Sequence, residues 1–308
     1  MPARVTRVNA LTYRLLAGSG RAMGRLLARA GLRQPAQHFV ALGKRLVAPR
    51  HLHAWMCVQQ GFAKGIWMHL NLPTEGYWRG THEPDVQALL HRLLKPGAVF
   101  YDVGAHLGYF ALPAARLVGA TGKVVAFDPD PENAARIRRN AEYNRLSNVL
   151  EVMEAALWSR GMKEITYRRG MPRSQGGVSQ DGQEPVLARA ERITVACTSL
   201  DEIVQRTQRP PDLLKIDVEG GEPEVVGGGE RLFAFHRPAL ICEIHRARED
   251  KWFREWLQKN SYHRFWTAPE GSYPCRLVAI PEERSHQDAD WEQVWASPEE
   301  LIGYSEVK

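Results

Sequence analysis

Val99–Phe110, VFYDVGAHLGYF, and Val124–Pro131, VVAFDPDP, decide the fold of this chain. Val99, Phe100 and Val103 make a short apolar run that suits a strand buried on both faces of a parallel sheet. Asp102 and Gly104 stand at its carboxyl end. There Gly104 and Gly108 free the backbone of side chains where it must turn and approach a ligand, and the next helix offers its first amides. The second stretch reads as a neighbouring parallel strand ending in Asp128. Pro129 stops it, Asp130 is placed to cap a helix, Pro131 suits a first turn, and the helix is expected over Ala134–Leu146.

The two turns differ in what they say about a ligand. A dinucleotide fold wants G-x-G-x-x-G with a pyrophosphate against the helix. Here the spacing is G-x-x-x-G, preceded by Asp102. A carboxylate there repels a pyrophosphate and suits a cationic amino group, such as that on the methionine part of S-adenosyl-L-methionine. Asp128 can accept two hydrogen bonds from a ribose diol, which NAD and S-adenosylmethionine proteins both exploit, so only the first turn argues against NAD. A lone glycine turn is often an ordinary strand-to-helix connection, but one matched by a second strand-end carboxylate is less so. Asp102, Gly104, Ala105, Gly108, Asp128, Pro129 and, from a later strand end, Asp217 are the expected cofactor contacts. A third strand over Val149–Met153 ends at Glu154, which, with the backbone around Ala155 and Ala156, is a candidate for the adenine amino group; a surface glutamate is the alternative.

Open parallel sheets place ligands beyond their carboxyl edge, so chemistry is expected at the next two strand ends. Leu213–Val218 reads as the fourth strand, on which Lys215, Asp217 and Glu219 alternate and would share a face. Three charges in so short a buried stretch are costly unless paired or functional, and a structural Lys–Asp bridge is the plain alternative. Gly220 and Gly221 lead to a helix with Pro223 in its first turn. The fifth strand, Ala239–Ile244, carries Glu243, with His245 just beyond. Asp217, Glu219, Glu243 and His245 thus converge on one mouth. Of these His245 has the unperturbed pKa nearest neutrality and is the expected base or acceptor-orienting group, with Asp217 or Glu219 able to serve if desolvation raises theirs. Asp217 and Glu243 could also hold a magnesium ion against a diol, although the dense carboxylate cluster usual for such sites is not evident; no metal is expected.

These motifs resemble the FkbM family of S-adenosylmethionine-dependent methyltransferases. The resemblance begins at Gly76–Pro84 (GYWRGTHEP), which includes Glu83, and runs through D-V-G-A-x-x-G-Y and F-D-P-x-P to Ala155–Trp158. It resumes at Thr198–Asp201 (TSLD), Asp212–Glu222 (DLLKIDVEGGE) and Pro238–His245 (PALICEIH), covering about half the chain. K-I-D-V-E-G is its most specific block. Asp128 stands where the family more often has Glu, Gly221 where Ala is common, and Pro113 interrupts the first helix, where a kink is expected. The resemblance implies a class I, Rossmann-like α/β fold: a mostly parallel seven-stranded sheet with helices on both faces, its last strands being Ser261–Trp266 and Leu277–Ile280. It also implies O-methylation of a hydroxyl on a sugar, glycolipid or secondary metabolite. The rival classes are an NAD-dependent oxidoreductase on the same kind of sheet and a non-catalytic membrane-associated binding protein that kept the fold.

The rest of the chain surrounds this core. The expected organisation is a basic segment over 1–50, a cap over 51–98, the methyltransferase domain over 99–280 and an extension over 281–308. The net charge of +6 over 308 residues is uneven: residues 1–74 hold eleven Lys or Arg and no Asp or Glu. On a helix Arg4, Arg7, Arg14, Arg21, Arg25, Arg29 and Arg33 share one side. Such a stripe over 1–33 could lie on an anionic membrane, serve as an organellar transit sequence, or simply be solvated. Trp55, Phe62, Trp67, Tyr77 and Trp78 could floor an acceptor or pack a core. Arg168, Arg169 and Arg173 precede the polar run Ser174–Gln183, read as a hairpin loop that could cover the acceptor or bind its phosphate. Four dispersed cysteines form no C-x-x-C pair and read as reduced residues. With no apolar run of about 18 residues and no signal-peptide core, the chain reads as cytoplasmic. Its expected partner is a small-molecule or glycan acceptor, and no nucleic acid.

Overall fold

The computed structural model describes residues 53–71, 75–169, 177–178, 191–266 and 273–285. The arginine stripe over 4–33, Arg173, the Ser174–Gln183 run except the backbone of 177–178, and most of the expected C-terminal extension lie outside them. Two compact units meet in sequence at His82 and Glu83. In the first, β1 (His53–Cys57) pairs antiparallel with β2 (Trp67–Asn71), followed by α1 (Glu75–Arg79). Phe62 and Trp78 are buried there, so two of the five aromatics considered for an acceptor floor are core packing. Trp55, Trp67 and Tyr77 are half-buried.

The second unit opens with α2 (Pro84–Leu93), β3 (Val99–Val103), α3 (Ala111–Val118), β4 (Lys123–Phe127), α4 (Pro131–Tyr143) and β5 (Leu150–Met153). Then come β6 (Ala156–Leu157), β7 (Glu164–Arg169), β8 (Gly177–Val178) and β9 (Glu191–Thr198). It continues with α5 (Leu200–Thr207), β10 (Leu213–Ile216), α6 (Glu222–Gly227), α7 (Glu230–Phe235) and β11 (Ala239–Ile244). Finally α8 (Ala247–Asn260), β12 (Tyr262–Trp266), β13 (Cys275–Pro281) and α9 (Glu282–Ser285) close the described chain. The helix Asp85–Leu94, grouped by sequence with the front cap, therefore belongs to the second unit.

Seven strands form one sheet in the order β12-β13-β11-β10-β3-β4-β5. The five from β11 to β5 run parallel, and β13 is antiparallel to both its neighbours. This is the mostly parallel sheet expected from sequence. Its strand order reverses between β3 and β10, and that reversal opens a crevice at the strands' carboxyl ends. A separate sheet, β6-β9-β7-β8, contains the expected hairpin, β7 and β8.

Local chemistry explains the framing. β10 reads LLKI and is buried at every position, as a central parallel strand must be. Asp212 aligns three strand starts: its carboxylate accepts from the Val99 amide at 2.8 Å, and its carbonyl from the Ala239 amide at 3.0 Å. The T-S-L-D piece begins α5, where Ser199 and Glu202 cap each other's amides reciprocally. Asp130 caps α4 as expected, accepting from the Glu132 amide at 2.8 Å. With Pro131 at its start, that helix begins before the Ala134 read from periodicity.

Two expectations are corrected. Pro113 was expected to kink its helix, but α3 starts at Ala111, so Pro113 lies in the first turn, where its missing N–H costs no intrahelical bond. The fourth strand ends at Ile216 rather than Val218, and Glu219 has φ of 60°. Strand alternation therefore does not extend to Asp217 and Glu219; a turn brings them together.

Candidate active site

The site is assembled from the carboxyl ends of β3, β4, β10 and β11. At β3, Asp102 is fully buried; neither of its oxygens has a hydrogen-bond partner of good geometry among the described residues, the Ala111 amide being a nearby weak donor. Burial pushes its carboxyl up to about 6, against the pull of Lys215. The register places Lys215 of β10 beside it, with Nζ 3.9 Å from Asp102 Oδ1 and 3.4 Å from Asp217 Oδ2. Burial alone would lower the Lys215 ammonium, but Asp217 and Asp102, helped by Glu83 and Glu243, outweigh it and raise it. Lys215 also lies 5.2 Å from the centre of the Phe110 ring. The Lys–Asp bridge weighed from sequence is thus present, and it joins the glycine turn to the second strand end.

Gly104 has φ of 81°, and a Cβ there would stand 1.8 Å from the Asp217 carbonyl oxygen. Only glycine permits both the turn and this approach. The orphaned carboxylate and its open turn fit the ammonium end of S-adenosylmethionine, because a buried acceptor without a donor is satisfied by a ligand that brings one.

Asp128 is buried at the end of β4 and is already engaged. Its Oδ2 accepts from the His106 amide at 2.8 Å, and Oδ1 from the Asp130 amide at 2.9 Å and Asn133 Nδ2 at 3.2 Å. Burial raises its carboxyl to about 7 despite these bonds. A carboxylate has about four acceptor sites. Three of these are taken up within the protein, so a ribose diol, expected from sequence to bind here, would share the carboxylate with them. Pro129 follows it directly. Asp130, also buried, is gripped by Arg169 at 2.8 and 3.2 Å, and Arg169 holds Glu191 at 2.9 Å. Arg169 is thus engaged within the fold, while most of the loop read from sequence as able to cover the acceptor or bind its phosphate lies outside the described residues. Glu154 is exposed and paired with Arg138 at 3.2 Å, while Ala156 enters β6 opposite Cys197. Ala155 is half-buried between them.

The mouth beyond β10 and β11 brings together Asp217, Glu219, Glu243 and His245. His245 Nε2 stands 3.4 Å from Glu219 Oε2 and 3.8 Å from Asp217 Oδ1, and its Nδ1 3.2 Å from Glu222 Oε1. Burial alone would lower the imidazole, but Glu222, Asp217 and Glu219 overcome it and raise it to about 9. These carboxylates favour the protonated form of His245. Burial lifts Glu219 to about 7, with His245 restraining the rise. Burial and Asp217 also raise Glu243, against Arg276. Arg276 of β13 contacts Asp85 at 2.9 Å, Glu83 at 3.3 Å and Glu243 at 3.8 Å. Glu83 occupies the N-cap of α2 with φ of 44° and makes no capping bond from its side chain. That strained backbone holds its carboxylate beside Arg276.

Two groups could offer three ligand atoms within 4.8 Å of one another: Asp217, Glu222 and His245, or Glu83, Asp217 and Glu243. In the first, Glu222 Oε1 already serves the amides of Val218 and Gly220, each at 3.1 Å. In the second, Arg276 supplies the positive charge. Both read as ion-pair networks.

Sequence reasoning passed over Glu222, Glu249 and Arg276. Glu222 closes the DLLKIDVEGGE block, and an acidic residue in a helix's first turn was the available signal. Arg276 had none, because its partners come from the other end of the unit.

The model of the methyltransferase FkbM domain matches residues 102–268, which include the carboxyl ends of β3, β4, β10 and β11. The chain belongs to the FkbM methyltransferase family. Its seven-stranded sheet is the class I fold the family resemblance implied. Among its FkbM relatives is the 31-O-demethyl-FK506 methyltransferase FkbM of Streptomyces tacrolimicus, 28% identical over 175 residues, which are 49% of this chain and 67% of that one. Another is the hexuronic acid methyltransferase AglP of Haloferax volcanii, 28% identical over 177 residues, 55% of this chain and 65% of that one. The chain spans about two thirds of the length of each. A solved methyltransferase FkbM from Methylobacillus flagellatus KT aligns with 15% identity and a TM-score of 0.43, covering 65% of this chain and 51% of that one. Among the described residues no helix is long and apolar enough to cross a membrane.

Proposed function

We propose that this FkbM-family methyltransferase uses S-adenosyl-L-methionine to methylate a hydroxyl of a sugar, glycolipid or secondary metabolite. One juxtaposition carries the reading: the orphaned buried carboxylate of Asp102 at the glycine turn, bridged by Lys215 to the mouth where Glu219 and Asp217 face His245. The names of the two curated relatives support hydroxyl and sugar acceptors respectively.

S-adenosylmethionine, when bound, supplies an electrophilic methyl group on a sulfonium sulfur. Asp102 with Gly104, Ala105 and Gly108 would hold its amino-acid end and Asp128 the ribose. Glu154 is committed to Arg138, so Ala155 and Ala156 remain for the adenine. The acceptor hydroxyl must lose its proton as the new C–O bond forms. Glu219, ionised above about pH 7, is suited to take it. His245, already protonated below about pH 9, acts instead as the cation that orients Glu219 and Asp217. The proton acceptor thus moves from the His245 favoured by sequence to Glu219.

Calorimetry with S-adenosylmethionine and NAD tests the cofactor, and labelled donor incubated with cell extract locates the acceptor in lipid, glycan or small-molecule fractions. Binding of NAD in place of S-adenosylmethionine overturns the reading. The rate profile tests the roles: kcat/KM rising through about pH 7 fits Glu219, whereas a rise only near pH 9 returns the base to His245. Glu219→Gln should lower kcat about 100-fold.

A further inference from the structure

Behind His245, on the side away from Asp217 and Glu219, lies a carboxylate outside the roles assigned above. Glu222, at the start of α6, has no solvent exposure. We propose that Glu222 is a positioning residue for methyl transfer, gripping Nδ1 of His245 and the amides of Val218 and Gly220 so that Nε2 is directed at Asp217 and Glu219.

Three observations converge on this. First, one oxygen, Oε1, faces all three groups: it accepts from Val218 N and Gly220 N at 3.1 Å each, and His245 Nδ1 lies 3.2 Å from it as an ion-pair contact outside hydrogen-bond geometry. The turn that carries Glu219 and the imidazole that faces it are thus tied to a single atom. Second, Oε2 of Glu222 is buried with no hydrogen-bond partner. Leaving a buried carboxylate half-satisfied is costly, and capping two amides needs no net charge; a neutral side-chain oxygen would serve. The negative charge has a purpose only toward the imidazole. Third, the backbone of His245 is fixed separately: Glu249 Oε2 accepts from His245 N at 2.9 Å and Arg246 N at 3.0 Å. Glu249 sets where the residue sits, and Glu222 sets which ring nitrogen looks outward.

The consequence is a relay of charge rather than of protons. The groups facing His245 are Asp217 and Glu219 from the turn after β10, Glu222 from α6, Glu243 on its own strand and Glu249 from α8. Arg246 adjoins it and covers Gly220. Glu222 helps keep the imidazole protonated, and the protonated imidazole keeps Glu219 ionised nearer neutral pH. Removing the first charge should weaken the second effect.

The inference rests on the methyl-transfer reading, but its test separates the two. Glu222→Gln preserves an acceptor oxygen for the two amides and deletes the charge. Imidazole nitrogen NMR on the full chain reads the grip directly, whether or not any acceptor is turned over. The wild type should show a protonated Nδ1 and an imidazole titrating well above a free histidine; Glu222→Gln should lower that midpoint by a unit or more. In turnover, the variant should bind S-adenosylmethionine within about threefold of wild type while kcat falls about 10- to 100-fold and the acid limb moves to higher pH. In a His245→Gln background, Glu222→Gln should add little further loss. Equal losses in both backgrounds, or an unchanged imidazole midpoint, overturn the proposal. If the variant does not fold, the wild-type spectrum still decides: a neutral imidazole with Nδ1 unprotonated overturns it too.

Discussion

Gly221 stands where the FkbM family commonly has Ala, and the structure gives the departure a physical cause. A Cβ built on Gly221 would lie 2.4 Å from Trp158 Cζ3 and 2.8 Å from Cη2, whereas carbon atoms in contact prefer about 3.5–4.0 Å. The backbone at Gly221, with φ of −111° and ψ of 14°, is open to alanine, so the indole is the obstacle. Trp158 is pinned in turn. It packs in a cluster with Ala156, Ile165, Tyr167 and Val195, and its amide donates to the Thr198 carbonyl at 2.9 Å. Overpacking a fixed site costs about 1–3 kcal/mol, offset by about 0.4–1 kcal/mol from the less flexible unfolded chain. Gly221→Ala should therefore destabilise by roughly 1–2 kcal/mol, a drop in Tm of about 3–6 °C at this size. Trp158→Leu makes room at the price of a cavity and costs about 3 kcal/mol alone. The double variant should recover at least about 1 kcal/mol relative to the sum of the singles. Thermal and urea unfolding of the four proteins measures the cycle. A Gly221→Ala protein as stable as wild type, or losses that simply add, would refute the steric account.

Two further predictions follow from buried carboxylates. Asp102→Asn should stabilise the fold at pH 8 by about 1–3 kcal/mol while weakening S-adenosylmethionine binding, because the ionised group is carried at a cost. The sign follows from a folded-state pKa raised from 3.8 to about 6: the penalty is absent below the lower value and complete above the higher, so the Tm difference should shrink towards pH 4. Lower stability of the variant at pH 8 would contradict it. Arg169→Ala leaves Asp130 buried without its cation, the Glu132 amide still donating to its carboxylate, and should lower stability by about 2–3 kcal/mol in urea titrations. Arg169→Lys should recover only part of this, since it cannot reproduce the two-pronged contact; full recovery would show that charge alone suffices.

What the sequence disclosed, and what it hid, divides by distance along the chain. Asp102, Gly104 and Asp128 were legible because strand, turn and cap are written in consecutive residues. The full set of partners of Asp128 was not, since the His106 amide reaches it from the preceding glycine turn, 22 residues earlier. Lys215 and Asp217 were read as neighbours on one strand face; they do meet, but through a turn that follows Ile216. His245 was found by its position after a strand, and its charge state was not, because Glu222 and Asp217 set it across two loops. Arg276 was invisible for the same reason: its carboxylates at Glu83 and Asp85 lie nearly the length of the unit away.

Asp212 holds the amide of Val99 across 113 positions of sequence, at the head of the strand β10 that pairs with β3. During synthesis, at roughly 5–20 residues per second, β3 therefore waits on the order of ten seconds with one edge unpaired. Its partners on the other side, β4 and β5, are made in that interval, so the nascent half-sheet exposes a flat, apolar border of the kind chaperones cover. For this enzyme the hazardous moment comes before its active site exists, and changes that slow translation between β5 and β10 should be felt as aggregation and not as altered kinetics.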